Sequence, residues 1–217
     1  MLIVWGQRTY GKVDGHREQY AATRFFHVWF LPLIPLGSVW MLGDGGRGHA
    51  MRLSGKSIVA AYLRTWGVIG GGVAMLVGFA GGGLAAVVAG AAALAVGLAS
   101  FAWSRARGRA AARAELLGAV LPTAIDPLRV DRTFAANLRP HVEARWAEVA
   151  GGRTPGDLIE RGDATPAQRA TAFALLRVLA RAERGAAGRT ARADSERLLD
   201  ATPKLAPTTP YRDQPAG

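Results

Sequence analysis

The most informative pattern in this chain is an uninterrupted apolar stretch near its middle. Between Arg64 and Arg105, forty consecutive residues contain no Asp, Glu, Lys, Arg or His. A helix of about 18 apolar residues can cross a bilayer, so this stretch is long enough for two crossings. Gly81, Gly82 and Gly83 lie at its midpoint and favour a break. The pattern predicts a transmembrane helical hairpin over residues 63–103, with spans at about 63–80 and 84–103. A hairpin buried inside a soluble protein is the alternative.

Basic residues flank the apolar stretch on both sides, whereas its glycine-rich centre carries no charge. Four precede the stretch and four follow it: Arg47, Arg52, Lys56, Arg64, Arg105, Arg107, Arg109 and Arg113. Since segments rich in Lys and Arg remain in the cytoplasm, both termini are expected there. Arg outnumbers Lys by 24 to 3, as expected for a GC-rich bacterial genome. We therefore expect a multi-pass protein of the bacterial inner (cytoplasmic) membrane.

Aromatic residues support the same orientation. Tyr62 and Trp66 lie near the start of the first span, and Phe101 and Trp103 lie at the end of the second. A hairpin brings both pairs to one membrane–water interface, where Trp and Tyr are enriched. The predicted membrane-interface residues are Arg52, Lys56, Tyr62, Arg64, Trp66, Trp103, Arg105, Arg107 and Arg109.

The net charge of +11 is divided evenly along the chain. The part before Thr65 has 8 basic and 3 acidic residues, and the part after Trp103 has 19 basic and 13 acidic residues. This even spread favours contact with the anionic headgroups of a lipid bilayer over a single nucleic-acid groove. Nucleic acid is therefore not expected as a partner.

Small residues recur at every fourth position of both spans. The predicted helix-packing residues are Gly70, Ala74, Gly78, Ala85, Ala89, Ala93 and Gly97. Such stripes let two helix backbones approach closely. The simplest interpretation is that they hold the hairpin together, and the alternative is a seam between copies in a homo-oligomer. A pore is disfavoured because Ser100 is the one polar side chain that would face its interior.

Residues 1–45 form a separate compositional block. They contain eight of the 17 aromatic residues, and short β-prone runs at 2–5, 23–31 and 38–42 are separated by Gly and Pro. This pattern predicts a small β-module. Pro32 and Pro35 are expected to end a strand. A unit this small buries little surface, so it should lean on the membrane or on another domain.

The same N-terminal block also carries a resemblance. The run Trp5-Gly6-Gln7-Arg8 and the corner Arg24-Phe25-Phe26 to Pro32-Leu33-Ile34-Pro35-Leu36-Gly37 resemble the N-terminal module of a group of uncharacterised bacterial membrane proteins. They are also similar to a small zinc-ribbon-like module, in which paired cysteines flank this corner. The present chain contains no cysteine, so zinc binding is not carried over. The resemblance implies a small β-fold that lacks the metal.

The segments after the hairpin show helical patterns. Residues 105–121 are expected to continue the second span as a basic helix, and Phe134, Leu138, Val142 and Trp146 form an amphipathic stripe that Pro140 should kink or restart. Thr154 and Thr165, each followed by Pro, are typical helix starts. A helix over 166–184 and a short one over 191–200 complete a cytoplasmic helical domain at 104–200. Residues 46–62 form a basic juxtamembrane segment, and the proline-rich residues 201–217 are predicted to be a disordered tail.

No catalytic constellation emerges from the sequence. Residues 50–57 nearly match a phosphate-binding loop, but Ala50 stands where the mechanism needs glycine. Ser54 or Ser57 is better explained as the cap of a helix entering the bilayer. The four histidines are scattered and none has a partner at metal-ligand spacing. We therefore expect no enzymatic activity, no cofactor and no metal.

These patterns together indicate an α+β membrane protein: a small N-terminal β-module, a two-helix transmembrane hairpin and a C-terminal cytoplasmic α-helical bundle. The expected function is that of an inner-membrane anchor or scaffold that presents two cytoplasmic modules to a protein partner. A transport accessory or a small oligomeric channel subunit is the alternative, suggested by the small-residue stripes. An enzyme acting on lipid headgroups is a third possibility, for which the sequence offers no base or nucleophile.

Overall fold

The computed structural model describes residues 4–43, 47–104 and 108–201. The described chain is α+β, with one four-stranded sheet and seven helices. The strands are β1 (Trp5–His16), β2 (Gln19–Val28), β3 (Leu31–Leu42) and β4 (Gly48–Met51). The helices are α1 (Gly55–Gly82), α2 (Leu84–Trp103), α3 (Arg109–Gly118), α4 (Arg132–Val149), α5 (Pro155–Arg161), α6 (Pro166–Ala182) and α7 (Gly185–Asp200). The predicted tail falls outside the described residues after Ala201.

The sheet is antiparallel throughout, with the strand order β1-β2-β3-β4. The small β-module is confirmed, but the prediction that Pro32 and Pro35 end a strand is wrong, because β3 runs through both. The reason is that β4 pairs only with Ser38–Met41, so the first half of β3 is a sheet edge. Proline has no N–H to donate, and an edge strand needs no donor on its open side. Sequence reasoning also missed β4 and most of β1.

A tight turn joins β2 to β3. Trp29 and Phe30 both have positive φ, at 51° and 63°. This backbone suits a two-residue hairpin but usually takes Asn and Gly, because bulky side chains are strained there. Several contacts hold it: the Trp29 N–H donates to the Val4 carbonyl at 2.8 Å, the Tyr10 hydroxyl donates to the Phe30 carbonyl at 2.8 Å, and the Phe30 ring stacks on the His27 ring at 5.7 Å. We call residues 29–37, the turn and the edge half of β3, the sheet arm.

Helices α1 and α2 pack against each other as an antiparallel pair, which we call the apolar hairpin. The chain reverses at Gly81 and Gly83, whose φ values are 115° and 84°. Ser54 caps the start of α1, since its side chain accepts from the Ser57 N–H. The predicted cap at Ser54 is therefore confirmed, and α1 begins at Gly55, before the predicted start of the apolar span at about residue 63. Both helices are long and apolar enough to cross a membrane.

Helices α3 to α7 form the helical module, with α6 at its centre. The core includes fully buried Leu117, Val142, Leu158 and Phe173. Thr154 and Thr165 begin α5 and α6 with reciprocal capping boxes, which satisfy N–H groups that the first turn of a helix leaves free. The predicted helix starts at these two threonines are therefore confirmed.

Two predictions about the later helices need correction. Helix α2 ends at Trp103 and a separate helix α3 starts at Arg109, because Gly108, at φ 55° and ψ −127°, leaves the helical conformation. The second span therefore does not continue as one helix to residue 121. Helix α7 starts at Gly185, six residues before the predicted start. The helix does not restart at Pro140, because Pro140 lies inside α4, which is one continuous helix from Arg132 to Val149.

The sheet and the helical module share a second core instead of being joined only through the apolar hairpin. Val13 and Trp40 of the sheet pack in one cluster with Ile125 and Val130. The Ala124 N–H donates to the Gln19 side-chain oxygen at 2.8 Å, and the Arg52 N–H donates to the Arg129 carbonyl at 2.7 Å. The sheet and the helical module therefore form one packed unit at one end of the apolar hairpin.

Candidate functional site

The predicted interface aromatics of α1 attach the sheet arm to the hairpin. The Tyr62 hydroxyl donates to the Leu33 carbonyl at 2.6 Å, and the Trp66 Nε1–H donates to the Pro32 carbonyl at 3.2 Å. Both residues belong to the part of β3 that β4 does not pair with, and their carbonyls accept hydrogen bonds from α1. The arm therefore lies alongside the first turns of the apolar part of α1.

Two of the predicted interface residues, Lys56 and Arg64, connect α1 to β1 and to the end of α2. Lys56 Nζ lies 2.5 Å from Asp14 Oδ1 and 5.6 Å from the centre of the Trp103 ring. Arg64 donates to the Lys12 carbonyl at 3.0 Å and to the Ser100 carbonyl at 3.3 Å, and lies over the Phe101 ring. These contacts join β1, α1 and the end of α2 at one level.

Two further predicted interface residues, Arg52 and Arg109, contact the helical module or belong to it. Arg109 forms ion pairs with Glu196 at 2.7 Å and Asp200 at 2.6 Å. Arg52 is exposed, and its backbone N–H donates to the Arg129 carbonyl at 2.7 Å. Arg105 and Arg107 lie outside the described residues.

The predicted helix-packing residues divide between the two sides of the hairpin. Gly78 and Gly97 are buried at the contact, where an added Cβ would meet Val87 and Leu63 respectively. Ala74 and Ala93 are half-buried. Gly70, Ala85 and Ala89 are exposed, and a Cβ at Gly70 would meet nothing within 4 Å. The prediction that Gly70 packs against the second helix is wrong.

Sequence reasoning missed three glycines at the helix contact. A Cβ at Gly71 would lie 2.7 Å from the Leu94 nitrogen, and one at Gly90 would lie 2.6 Å from the Gly71 carbonyl oxygen. Gly67 approaches the Ala93 carbonyl and Gly97 in the same way. Since Gly70, Gly71 and Gly72 are adjacent, composition leaves open which of them faces α2. The contact selects Gly71, one position from the predicted stripe.

The sheet arm exposes a group of large apolar side chains. Their exposed fractions range from 40% to 58%, and they are Trp29, Phe30, Leu33, Ile34 and Leu36. Arg8 lies 5.7 Å from the centre of the Phe30 ring, and Arg24 is exposed on the neighbouring strand. An apolar patch with a cationic rim is typical of a surface that contacts another phase or another molecule.

A basic cavity of about 670 Å³ lies where the sheet, the start of α1 and the helical module meet. Seven basic side chains line it: Arg52, Lys56, Arg113, Arg129, Arg177, Arg181 and Arg192. Three acidic side chains also line it: Asp14, Asp126 and Glu196. The lining therefore carries an excess of four positive charges, in a cavity of a size typical of small-molecule sites.

Arg177 is the charged centre of the cavity wall. Its side chain is only 2% exposed, and its two terminal nitrogens pair with Glu196 at 2.9 Å and Asp126 at 3.0 Å. Burial lowers the pKa of Arg177, and the charges of Asp126 and Glu196 oppose that shift. Its Nε atom is buried and has no hydrogen-bond partner in the described chain.

The Glu196 carboxylate accepts hydrogen bonds from three arginines, Arg109, Arg113 and Arg177. Burial by itself would raise the pKa of Glu196, but hydrogen bonds from Arg109 and Arg113 and the charge of Arg177 lower it to about 2. The carboxylate is therefore ionised throughout the physiological range. Asp14 is likewise paired, with Lys56 and with Arg129 at 3.4 Å. The carboxylates of the described lining all serve as ion-pair partners, so the chemistry that this lining suits best is anion binding.

The cavity could not be found by reading along the chain. Its residues come from β1, β3, the turn before α1 and its first turn, α3, the segment between α3 and α4, α6 and α7, which are far apart in sequence. Each charged side chain by itself looks like part of a solvated helix face. The one signal in the sequence is the persistent excess of arginine over acidic residues.

Comparison of the chain with known protein families, with curated proteins and with solved structures finds no match. The function of this protein is therefore inferred from the apolar hairpin, the sheet arm and the basic cavity.

Proposed function

We propose that this protein is an anchor or scaffold of the bacterial inner membrane. The apolar hairpin crosses the bilayer, and both termini are cytoplasmic. The unit formed by the sheet and the helical module lies on the cytoplasmic surface and binds a protein partner there. The observation that carries the proposal is the outward orientation of the large apolar side chains of the hairpin.

This orientation argues against a buried hairpin in a soluble protein. Only 11% of the apolar window of α1 and 17% of that of α2 are buried within the protein. Phe79 is 71% exposed and Leu84 is 78% exposed. In water such a surface would be a severe aggregation hazard, because monomeric soluble proteins rarely expose apolar patches of this extent. Lipid chains are the solvent that suits it.

The length of the hairpin fits a bilayer. Helix α2 has 20 residues. With a rise of about 1.5 Å per residue it is about 30 Å long, close to the thickness of the hydrocarbon core. A Cβ at Gly97 would meet the Leu63 carbonyl. Leu63 is therefore level with a point about 9 Å before the end of α2.

If α2 spans the hydrocarbon core, the sheet arm lies near the membrane surface, because it contacts α1 at the level of Leu63. Tyr62 and Trp66, which bind the arm, flank Leu63 in the sequence. The arm is thus in position to dip its exposed aromatic residues into the outer part of the bilayer, while Arg8 and Arg24 meet anionic headgroups.

The strain in the arm supports this role. Trp29 and Phe30 occupy turn positions for which glycine and asparagine are better suited. Folding alone gives no reason for two exposed aromatic residues at this point. Contact with lipid does, because amphipathic and aromatic side chains are favoured at the membrane interface.

The alternative of an oligomeric channel receives less support. The glycines with the tightest contacts, Gly71, Gly78, Gly90 and Gly97, meet the partner helix of the same hairpin. The Ser100 hydroxyl donates to the Gly97 carbonyl of its own helix at 2.6 Å, so it lines no polar path. Ala85 and Ala89 remain on the outside as the surface that a homo-oligomer would use.

The anchoring proposal predicts the outcome of adding one charge to the lipid face. Val73 is 54% exposed near the middle of α1. Val73→Arg should raise the apparent free energy of insertion by about 2.5–3.5 kcal/mol. The variant should be lost from the carbonate-resistant membrane fraction several-fold more than the wild type. Ala144→Arg adds the same charge to an exposed position of α4 and should fractionate normally. Wild-type protein that stays in the supernatant after ultracentrifugation without detergent would contradict anchoring.

Orientation and partner binding need separate measurements. A reporter inserted at Gly82 should read as external, and one fused after Gly217 should read as cytoplasmic.

A photo-cross-linker at Ala144 in native membranes should yield a discrete adduct with a second protein, identified by mass spectrometry. Cross-linked species that contain this chain alone would argue for a homo-oligomer and against a scaffold.

A further inference from the structure

We propose that the basic cavity is a binding site for a phosphate-bearing anion, as a mono- or diester. The assignment of phosphate chemistry follows from the cavity itself. The assignment of the phosphate to a lipid headgroup, which we favour, also rests on the proposed membrane location.

The charge balance is the first argument. Most of the cations in the wall already have partners: Lys56 and Arg129 share Asp14, and Arg177 shares Glu196 with Arg113. The side chains of Arg52 and Arg192 have no ion-pair or hydrogen-bond partner within residues 4–43, 47–104 and 108–201. Both line the cavity and both are exposed, so they are free to turn towards a ligand.

The buried guanidinium of Arg177 is the second argument. A cation that is almost completely removed from water is stable only where its charge and its N–H groups are satisfied. Asp126 and Glu196 bind its terminal nitrogens, but the Nε–H has no partner in the described chain, and the same holds for the buried Nε of Arg113. Two buried donors thus remain unused beside a cavity whose charge is positive.

The chemistry of these groups selects the class of ligand. Guanidinium groups present parallel N–H donors that match the oxygens of phosphate, and arginine predominates wherever phosphate is recognised by paired hydrogen bonds. The volume of about 670 Å³ accepts a small molecule or a headgroup. The half-buried Ala110 and Leu128 give the cavity an apolar part that suits the glycerol or sugar carbons of a phosphate ester.

The position of the cavity favours a lipid headgroup as the source of the phosphate. Lys56 lines the cavity and also lies over the ring of Trp103, the last residue of α2. The cavity therefore adjoins the end of the apolar hairpin where the headgroups would lie. A lipid whose phosphate enters the cavity could keep its acyl chains along the hairpin.

The test uses full-length protein in a neutral detergent. Isothermal titration is performed with inorganic phosphate, with short-chain phosphatidic acid and with short-chain phosphatidylcholine, which carries no net charge. Arg52→Gln and Arg192→Gln each remove one unpaired cation without leaving a carboxylate unpaired. Arg189→Gln is the matched control, because Arg189 is exposed on the same helix as Arg192 but does not line the cavity.

We expect phosphatidic acid to bind at least tenfold more tightly than phosphatidylcholine, and each cavity variant to weaken that binding by about tenfold, the effect of one charge-assisted hydrogen bond. Arg189→Gln should leave it unchanged. Inorganic phosphate should compete for the site, with an affinity that falls as salt rises.

The outcomes separate the two possible sources. Binding of inorganic phosphate that both cavity variants weaken, without preferential binding of phosphatidic acid, would support the anion site and overturn the lipid source. If neither inorganic phosphate nor phosphatidic acid binds, the proposed site is overturned. Equal binding by Arg52→Gln, Arg192→Gln and wild type would overturn it as well. These titrations in detergent do not depend on membrane fractionation, so failure of the anchoring proposal would be recognised separately.

Discussion

The apolar hairpin and the helical module are both built from packed helices, but they distribute side chains in opposite ways. In the hairpin the smallest residues lie inside, where Gly71 and Gly90 let the backbones approach, and large residues such as Phe79 point outwards. In the module the large apolar residues lie inside, with Phe173 fully buried, and the described arginines other than Arg177 are half-buried or exposed. The comparison teaches that packed helices by themselves do not decide which residues lie inside; the two distributions are those expected in lipid and in water.

The energetic reason differs between the two regions. In water, burying large side chains is the main favourable contribution to folding, so the module gathers Leu, Val and Phe in its core. Among lipid chains that driving force is absent between helices, and close packing of small residues takes its place. If the hairpin crosses a membrane, each region is therefore sensitive to a different kind of substitution.

The largest expected effect comes from truncating a phenylalanine in each region. Phe173→Ala removes a fully buried ring from the module and should lower the free energy of unfolding by about 3–5 kcal/mol. Phe79→Ala removes a ring that is mostly exposed and should change it by less than about 0.5 kcal/mol. Urea unfolding in detergent, followed by circular dichroism, measures both. Equal losses in the two variants would mean that the hairpin surface packs against protein.

A pair of adjacent glycines tests the interior of the hairpin. A Cβ at Gly71 would lie 2.7 Å from a backbone nitrogen of α2. Gly71→Ala should therefore cost about 1–3 kcal/mol through overpacking. Gly70→Ala adds the same methyl group to an open position and should be neutral or slightly stabilising, because alanine has the higher helix propensity. The thermal midpoint in detergent distinguishes them. A larger loss from Gly70→Ala would place the helix contact on the originally predicted stripe.

The smallest expected change in stability comes from breaking an ion-pair cluster. The helical module contains such clusters, whereas the centre of the hairpin has no charged residue. Glu196 accepts hydrogen bonds from three arginines. Glu196→Gln weakens these contacts and should cost about 1.5 kcal/mol at neutral pH, as expected for hydrogen bonds to a charged group. Glu148→Gln is the control, because Glu148 and its partner Arg145 are both exposed and such pairs contribute little.

The pH dependence of this difference follows from the pKa of Glu196. The pKa is about 2 in the folded protein, below the ordinary value of 4.5, so the folded state favours the ionised carboxylate. The stabilisation is complete above the ordinary pKa and is lost as the pH falls towards the folded pKa. The difference in thermal midpoint between wild type and Glu196→Gln should therefore be constant from about pH 7 to about pH 5 and should shrink below that. A difference that grows in acid would contradict the assigned ion pairs.

Much of the fold could be predicted from local signals. The break at Gly81–Gly83 follows from three residues that tolerate positive φ. The starts of α5 and α6 follow from Thr154 and Thr165, whose caps depend on the next three residues alone. The cap at Ser54 follows in the same way. Signals of this kind succeed because the physical cause and the residue lie within one turn of chain.

Other features could not be predicted because their causes are distant in sequence. Pro32 and Pro35 are compatible with β3 only because β4 stops pairing after Ser38, which fixes that part of β3 as an edge. The choice of Gly71 over Gly70 depends on how α2 is rotated against α1.

The sequence by itself determined an apolar, uncharged hairpin with basic flanks, because hydrophobicity and charge are properties of the residues and need no partner. Tertiary structure alone decided that the sheet and the helical module pack into one unit, and that Asp14, Arg52 and Glu196 line one cavity. Those relations arise from long-range packing and buried ion pairing, whose free energies depend on distances in space that no local pattern encodes.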